Sequence, residues 1–462
     1  MLGGGLAGLA AALAFGRRGR RVLVLERDPP VAGGGADTLF EDWERPGIAH
    51  FRQAHNFLGL ARAVLHNEAP DVLARLLDLG ATENRQYELL PGDVRPADES
   101  LVSIFARRPV FEYALREAVQ AEGHITLRTG TRVVGLLGER SVVAGVALND
   151  GTEISASLIV DALGRTSPLP RWLSALGAAP VPERRSECGL LYYSRHFRFR
   201  DGVEMPKVPS LTRAPRGEIG YMAYSIFVED NRTFATVLMP PPWDRALRAF
   251  KSEDAYMAAA SSMPALAPWV HPSHAEPISP VLPMGSLQNV HRTLVANGEP
   301  VATGIQPIGD ALCHVNPTFA YGASLSLDHG FALGRVATET DDPRAIALAF
   351  QDAVGADAAA RFDAVSAEDR DRMRLWQGEP LDVRTPNDSM ALFLRMTVYP
   401  VAATDPELFR AVARRVNMLD PPDTLERNEA LIGRAEEIAR TNDVAAPVGP
   451  TRDELLEAIG SA

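Results

Sequence analysis

The sequence predicts an α/β fold: a Rossmann-like parallel sheet discontinuous in sequence, an inserted antiparallel β-sheet, and a helical C-terminal region. Three observations predict this. A glycine-rich turn, a helix and a short apolar strand open the chain; aromatic-rich alternating strands follow at about 185–240; and a second strand–loop–helix segment returns at 306–336. With 462 residues, the chain exceeds one compact core, so more than one structural unit is expected.

The composition is that of an ordinary globular protein and excludes some function classes. Hydrophobic residues make up 46% of the chain and charged residues 23%. The net charge of −12 argues against a nucleic-acid binder and against lasting attachment to anionic lipid. No apolar run reaches the roughly 20 residues that span a bilayer, so we expect no stable membrane insertion and a cytoplasmic location. Cys188 and Cys313 stand far apart, which predicts neither a disulfide framework nor a metal site.

The individual elements follow from hydrophobic periodicity and from the residues that break it. An Ala/Leu-rich stretch ending at a glycine predicts a helix, and a β-branched run ending in charge predicts a buried strand. In order, the sequence predicts a helix at 9–19, a strand at 21–28, a helix at 57–80, a strand in YELLPG (87–92), a helix at 107–123, short strands within 125–164, long strands within 185–240, helices within 243–275 and helices beyond about 345.

The opening GGGLAG contains the spacing of a dinucleotide-binding turn, Gly3-x-Gly5-x-x-Gly8. The first glycine permits a tight turn, the second lets backbone amides approach a pyrophosphate, and the third allows close helix–sheet packing. Glu26 ends the following strand, near the spacing of about 20 residues expected for an acid that binds an adenosine ribose. Glycine runs also occur in ordinary loops. The prediction of a dinucleotide-binding turn therefore depends largely on the helix and the strand that follow it.

The strand expected before this turn is nearly absent, since only Met1 and Leu2 precede Gly3. A central strand of a parallel sheet would then lose most of its ladder partners. The expectation is that the sequence begins several residues late, at an internal methionine, or is truncated.

Two later segments carry further signals. In GIQPIGDALCHVNPTFAYG, Asp310 follows a short apolar strand and Gly322 opens a helix, so a carboxylate and free backbone amides face the same ligand. In LIVDALGRTSPLPRW, an apolar strand ends at Asp161 and is followed by Arg165 and Arg171. A strand–loop–helix with a capping aspartate is the alternative reading of the first segment.

Together these segments resemble the flavoprotein monooxygenases of the para-hydroxybenzoate hydroxylase fold. GGGLAG resembles their GxGxxG, VDALGRTSPLPR their DG-type motif, and IGDALCHVNPTFAYG their GD motif, in the same order and across about residues 1–340. FRQAHNFLGLAR (51–62) and RRPVFEYALR (107–116) are similar to segments of the polyketide epoxidases and antibiotic-tailoring oxygenases of secondary metabolism. The DG-type segment departs from the family, because it reads Asp-Ala-Leu-Gly.

The resemblance implies FAD as cofactor and names its contacts. The implied cofactor-binding residues are Gly3, Gly5, Gly8, Glu26, Arg52, Arg108, Val133, Asp161, Asp310, Gly322 and Ala323. Pro317, in a loop against the isoalloxazine, and His314 are the implied catalytic residues. The implied division is an FAD-binding domain (1–180), a substrate-binding sheet (181–297), the GD part of the FAD domain (298–345) and a helical region (346–462).

The implied activity is a monooxygenase. NAD(P)H, or a separate flavin reductase, would reduce FAD, and O₂ would form a flavin C4a-hydroperoxide whose distal oxygen passes to the substrate by hydroxylation or epoxidation. The protein must exclude water to protect that intermediate. Four tyrosines of the inserted sheet are substrate-contact candidates, of which strand alternation places only about half on the pocket face: Tyr192, Tyr193, Tyr221 and Tyr224.

Three other functions compete with this one. A flavin-dependent halogenase is disfavoured, because no two of the five tryptophans stand two residues apart as that family's motif requires. An FAD-dependent reductase acting on an isoprenoid-like substrate is the main alternative, since such enzymes share the VDAxGR and GDA segments. A non-catalytic, degenerate flavin fold is the third. Substrate identity and oligomeric state stay open.

Overall fold

The computed structural model describes residues 1–441 and 448–460 of the chain. The helices, in chain order, are α1 (Leu6–Gly16), α2 (Ala36–Asp42), α3 (Gly59–Glu68), α4 (Pro70–Asp78), α5 (Arg108–Ala121), α6 (Leu169–Ala175), α7 (Glu253–Ser262), α8 (Ala267–Val270), α9 (Tyr321–Glu339), α10 (Pro343–Trp376), α11 (Met390–Phe393), α12 (Tyr399–Val401), α13 (Pro406–Val416), α14 (Glu429–Thr441) and α15 (Arg452–Gly460). A π-helical segment, Leu394–Val398, joins α11 to α12.

The strands alternate with these helices in the first half of the chain and are denser in the middle. They are β1 (Val22–Leu25), β2 (Thr82–Arg85), β3 (Val102–Phe105), β4 (Ile125–Arg128), β5 (Val133–Glu139), β6 (Val142–Leu148), β7 (Glu153–Ser155), β8 (Ile159–Asp161), β9 (Glu183–Glu187), β10 (Tyr192–Phe199), β11 (Arg216–Glu218), β12 (Ala223–Val228), β13 (Thr233–Met239), β14 (Ala275–Pro277), β15 (Leu282–Met284), β16 (Gln288–Arg292), β17 (Val295–Ala296), β18 (Glu299–Pro300), β19 (Ile305–Pro307) and β20 (Cys313–His314).

The parallel sheet forms as predicted, and two residues complete its centre. β1 pairs with β4 and β8 pairs with β19, both in parallel. Leu2 bridges Leu25 on one side and Asp161 on the other, also in parallel, so the order is β4–β1–Leu2–β8–β19. Backbone bonds from Leu2 to Val160 (2.8 Å) and from Gly3 to Leu25 (2.9 Å) hold this link. The glycine turn therefore leaves the sheet from its central position.

Two helices that lie far apart in sequence pack closely on this sheet. The whole of α1 is buried, and its small residues face α9. A Cβ on Gly334 would lie 2.5 Å from the Cβ of Ala14, and a Cβ on Gly330 would lie 2.8 Å from the backbone nitrogen of Ala11. Because both α9 glycines lack a side chain, the helices approach within backbone contact.

The inserted sheet is antiparallel, in the order β11–β12–β13–β10–β14, with β15 also paired to β10. Its two faces have different neighbours because side chains alternate along each strand. One face, with Tyr193, Phe197 and Tyr224, packs in an apolar cluster against α7, α8 and Leu455 of α15. The opposite face carries Tyr192 and points toward the parallel-sheet domain.

Two local predictions differ from the structure. The helix predicted at 57–80 is two helices, because α3 ends at Glu68 and Pro70 begins α4 after a non-helical Ala69 (φ −147°, ψ 60°). The strand predicted in YELLPG is wrong, since Gln86–Leu89 forms a 3₁₀ turn. Tyr87, Leu89 and Leu90 pack there against α13, a tertiary contact that strand periodicity does not encode.

The C-terminal region is helical, as expected, and covers the rest of the molecule. α10 runs for 34 residues and contacts α9, β9, β16 and β20. α13 and α14 form a separate apolar cluster with the segment around Phe393. Within residues 1–441 and 448–460, no helix is long and apolar enough to cross a membrane.

Candidate cofactor and active site

A cavity of about 800 Å³ lies at the carboxyl ends of the parallel strands and extends to the inserted sheet. This volume is in the range of roughly 300–1,000 Å³ typical of ligand pockets. The predicted site residues that line it are Gly3, Gly5, Glu26, Arg108, Val133, Tyr192, Asp310, His314, Pro317, Gly322 and Ala323. The three sequence segments that carried the prediction therefore meet around a single space.

The glycine turn has the geometry that its spacing predicts. Gly3 has a φ of +96°, which disfavours any residue with a Cβ. A Cβ on Gly8 would lie 1.9 Å from the carbonyl oxygen of Gly3, so this glycine is required for close packing and does not line the cavity. A Cβ on Gly5 would meet only Ile48, at 3.6 Å. Gly5 caps α1 with no side-chain acceptor, which leaves helix amides available to an anion.

Glu26 lies in a buried charge network that includes Arg45. Its carboxylate accepts from the amides of Gly4 (2.8 Å) and Asp28 (2.9 Å) and from Nη2 of Arg45 (2.7 Å). Arg45 is 5% exposed and also pairs with Asp28 (3.0 Å) and Glu112. Arg45 is not predictable from the sequence, because it lies in a loop with no periodicity to mark it.

Arg108 begins α5 and points into the cavity. It pairs with Glu112 one turn later at 3.4 Å, and its Nη1 is 3.5 Å from Nε2 of His55. Burial is the main cause that lowers the pKa of Arg108. Burial, followed by repulsion from Arg108, also lowers the pKa of His55 to about 3 and that of His50 well below its usual value. Both histidines line the cavity in neutral form and were not singled out from the sequence.

The GD segment presents a carboxylate and an imidazole to the cavity. Oδ2 of Asp310 lies 3.2 Å from Nδ1 of His314. Burial opposes ionisation of Asp310, but the surrounding His314, His50 and Arg108 lower its pKa overall. Nε2 of His314 and Oγ1 of Thr318 are buried and have no hydrogen-bond partner in the described structure. Of the two residues, His314 lines the cavity, and a planar heterocycle with ring nitrogens and carbonyl oxygens could satisfy its Nε2, which fits a flavin.

The loop around Pro317 is a rigid turn between β20 and α9. The Oδ1 of Asn316 accepts from the amide of Thr318 at 3.0 Å and starts a 3₁₀ turn over Pro317–Phe319. Ala320 then takes a left-handed conformation, with φ +58°, before α9 begins. Pro317, Ala320 and Gly322 all face the cavity.

Strand alternation separates the four candidate tyrosines. Tyr192 lines the cavity, whereas its neighbour Tyr193 stacks edge-on to Phe250 at 5.9 Å on the other face. Tyr224 lies in the same apolar cluster as Tyr193. The hydroxyl of Tyr221 donates to the carbonyl of Pro450 at 3.0 Å, away from the cavity. The structure thus brings only Tyr192 to the cofactor side.

Two predicted cofactor contacts also lie outside the cavity lining. The guanidinium of Arg52 donates to the carbonyls of Phe40 (2.6 Å) and Glu41 (2.8 Å), so it holds a neighbouring segment. Asp161 is buried and accepts from Ser167 Oγ at 2.5 Å, and burial raises its pKa. Asp161 thus shapes the turn whose next residues, Ala162 to Thr166, do line the cavity.

Three arginines at the rim of the cavity are without a counter-ion. Arg132, Arg165 and Arg171 line it, and among the described residues none of the three forms a salt bridge. Unpaired guanidinium groups beside a helix N-terminus attract phosphate. The cavity therefore combines a glycine turn at a helix N-terminus with a cationic rim.

Comparisons with known proteins agree with this geometry. Residues 1–167 match the family of FAD dependent oxidoreductases. Protein Rv3254 of Mycobacterium tuberculosis is 28% identical over 349 residues, 71% of this chain and 70% of that protein.

Solved structures show the same fold. A probable FAD-dependent monooxygenase from Pseudomonas aeruginosa, PqsL, is 18% identical with a TM-score of 0.57, covering 82% of this chain and 97% of its own. PqsL has also been solved in complex with 2-aminobenzoylacetate. The flavin-dependent brominase Bmp2 is 16% identical with a TM-score of 0.60, covering 96% of this chain and 98% of its own. The fold predicted from the three motifs is therefore confirmed.

Proposed function

We propose that this FAD-dependent oxidoreductase, which has the fold of the flavin monooxygenases, inserts one oxygen atom from O₂ into an apolar or aromatic small molecule, with NAD(P)H as the reductant. The observation that carries the proposal is the meeting of the glycine turn, Glu26 and the Asp310–Pro317 segment around one cavity. When bound, FAD supplies the electron transfer and the oxygen chemistry, and the protein supplies binding and orientation.

The adenosine half of the cofactor would be held by the first third of the chain. The open amides at the start of α1 face the pyrophosphate, and the rim arginines Arg165 and Arg171 complement its charge. Glu26 would accept from the ribose, and the chain at Val133 would contact the adenine. Arg45 orients the Glu26 carboxylate, since its guanidinium binds that carboxylate directly.

The flavin ring would lie between the Pro317 loop and the Tyr192 face of the inserted sheet. Asp310 would accept from ribityl hydroxyls, while the unpartnered Nε2 of His314 would supply a polar contact to the ring. The sheet side of the cavity is largely apolar, with Ala54, Met284 and Leu287 beside Tyr192. Such a wall excludes water and favours an apolar or aromatic substrate over a sugar.

The first test is the visible spectrum of the purified chain with and without added FAD, followed by addition of NADPH in air. A flavin band that bleaches and recovers, with O₂ consumed, supports the proposal. FAD should also stabilise the folded protein, by about 2.7 kcal/mol at an FAD concentration of 100 times Kd, and so raise its melting temperature. Riboflavin, which lacks the adenosine and pyrophosphate, should not raise the melting temperature.

The alternative functions give different results in the same experiment. A flavin that NADPH bleaches only when a separate flavin reductase is added would assign reduction to a partner protein. Bleaching without O₂-dependent product, but with saturation of an isoprenoid double bond, would favour the reductase. Protein that stays colourless in excess FAD would contradict both and support a non-catalytic fold.

A further inference from the structure

A buried carboxylate outside the cavity holds the loop that carries Pro317. Asp369 lies on α10, and its side chain is fully buried. Its Oδ1 accepts from Nδ2 of Asn316 at 2.5 Å, and its Oδ2 accepts from Nδ2 of Asn289, on β16, at 2.9 Å. Arg372, one turn later, lies 3.0 Å from Oδ1. No motif in the sequence marks this residue, and it does not line the cavity.

The two amide side chains can take only one orientation each. Oδ1 of Asn289 accepts from the backbone amide of Asn316 at 2.6 Å, so its Nδ2 must face Asp369. Oδ1 of Asn316 accepts from the amide of Thr318, so its Nδ2 must also face Asp369. Both contacts therefore need an acceptor, and a carboxylate supplies two acceptors where an asparagine supplies one.

We propose that Asp369 is a positioning residue that, through Asn316 and Asn289, fixes residues 316–318 in the conformation that faces the flavin. The inference rests on the proposed function only in naming flavin as the group that the loop meets. Because hydrogen bonds are stronger in a low-dielectric interior and an unpaired polar group there is costly, loss of one acceptor should loosen the turn. A looser turn would place Pro317 and Ala320, which line the cavity, less accurately against the ring.

The charge of Asp369 also makes its hydrogen bonds to Asn316 and Asn289 sensitive to pH. Burial is the largest effect on this group, and it raises the pKa of Asp369 to about 6, against the opposing attraction of Arg372. The other charged group close to it is Glu368, on the same helix; the thiol of Cys188 approaches Asn289 at 3.5 Å. Below about pH 6 the carboxyl gains a proton and loses an acceptor, so the loop should loosen.

The test is hydrogen exchange of the full chain, measured on peptides that span residues 313–320, with and without FAD. The turn contains four bonded amides, at positions 316, 318, 319 and 320. Asp369→Asn should raise their exchange roughly tenfold at pH 7.5, as loss of one hydrogen bond to a charged group implies. Asp371→Asn is the matched control, because Asp371 is a buried carboxylate on the same helix that binds Ser389 instead (2.7 Å).

The proposal would be overturned if the peptides spanning residues 313–320 exchanged hydrogen at the same rate in Asp369→Asn and Asp371→Asn. If Asp369→Asn does not fold, the wild-type chain supplies a second measurement. Its loop exchange, normalised to intrinsic rates, should rise below pH 6 while α10 peptides stay protected; a flat profile would overturn the proposal. Added FAD is monitored separately by absorbance, so failure of all variants to bind FAD would contradict the proposed function and leave the loop result standing.

Discussion

Gly5 and Gly8 belong to one motif but act through different physical effects. Gly8 lies inside α1, where a Cβ would overlap the Gly3 carbonyl at 1.9 Å. Gly5 has an ordinary extended conformation, with φ −87°, and open space toward the cavity. The third glycine therefore serves the fold, and the second keeps open the space between the start of α1 and the cavity.

Gly8→Ala should lower the free energy of unfolding by about 1–3 kcal/mol, because overpacking outweighs the gain in helix propensity. Gly5→Ala should leave the melting temperature of the cofactor-free protein unchanged and weaken FAD binding. Calorimetry of both variants without FAD, followed by FAD titration, distinguishes the two effects. Equal melting temperatures for the two variants would contradict the assignment.

Arg45 is the shared counter-ion of the buried carboxylates behind the glycine turn. It binds Glu26, Asp28 and Glu112, and its side chain is 1% exposed. Removing one partner from a buried ionic network leaves the others without compensation, at a cost of about 3–5 kcal/mol. Arg45→Met should therefore destabilise the protein by that order and weaken FAD binding, as urea unfolding and FAD titration would measure.

The control for Arg45 is an exposed arginine with equally good contact geometry. Arg344 pairs with Glu299 at 2.6 Å, and both side chains are more than half exposed. Arg344→Met should leave the denaturation midpoint nearly unchanged, since solvent screens such pairs. If both variants lost the same stability, burial would not be the cause.

At the scale of elements, the contact between α1 and α9 ties the two halves of the cofactor site together. α1 carries the glycine turn at its start, and α9 begins at the loop that carries Pro317. The helices can approach this closely only because Gly330 and Gly334 face alanines of α1. This packing sets the distance between the glycine turn and the Pro317 loop, which line the same cavity.

Gly334→Ala should lower the free energy of unfolding by about 1–3 kcal/mol, although alanine is the better helix former, because its Cβ would lie 2.5 Å from that of Ala14. Gly433→Ala, on α14, is the matched control: among the described residues, no atom beyond the adjacent residues and helix backbone lies within 4 Å of its added Cβ, so it should stabilise by about 0.5–1 kcal/mol. Urea denaturation would measure both changes, and a stabilised Gly334→Ala would refute the close-packing account.

At the scale of the whole molecule, buried neutral histidines predict a marked loss of stability in acid. Burial lowers the pKa of His291 and of His329 to about 4 and that of His55 to about 3. Each is uncharged in the folded protein near pH 5 but protonated when unfolded. The unfolded state thus binds more protons, and the free energy of unfolding falls as pH drops from about 6.5 toward 4.

His329→Asn should reduce the slope of the free energy of unfolding against pH by up to about 1.4 kcal/mol per pH unit, which is the contribution of one proton taken up on unfolding. The asparagine oxygen can take the place of Nδ1, which lies 3.2 Å from the amide nitrogen of Gly309. Urea midpoints of the variant and the wild-type chain from pH 4 to 7 would measure the slope. Parallel curves would mean that His329 takes up no proton on unfolding.

The sequence by itself determined the turn, the strand–helix pattern and the order of the three motifs. These are local: glycine spacing, apolar runs and breakers act within about ten residues of chain. Gly3, Asp310 and Gly322 could therefore be identified without a structure. The very short first strand is enough to join the sheet, because the backbone of Met1, Leu2 and Gly3 bonds to the strands on both sides.

Tertiary structure alone decided which side chains meet. Arg45, His55 and Asp369 carry no local signature, because their partners lie up to 80 residues away in sequence. The face to which each tyrosine points depended on the register of β10 against β13, which pairs Tyr193 with Leu238 and so turns Tyr192 toward the cavity. A periodic pattern states that side chains alternate, but only packing against the remaining layers selects the face that meets the cofactor.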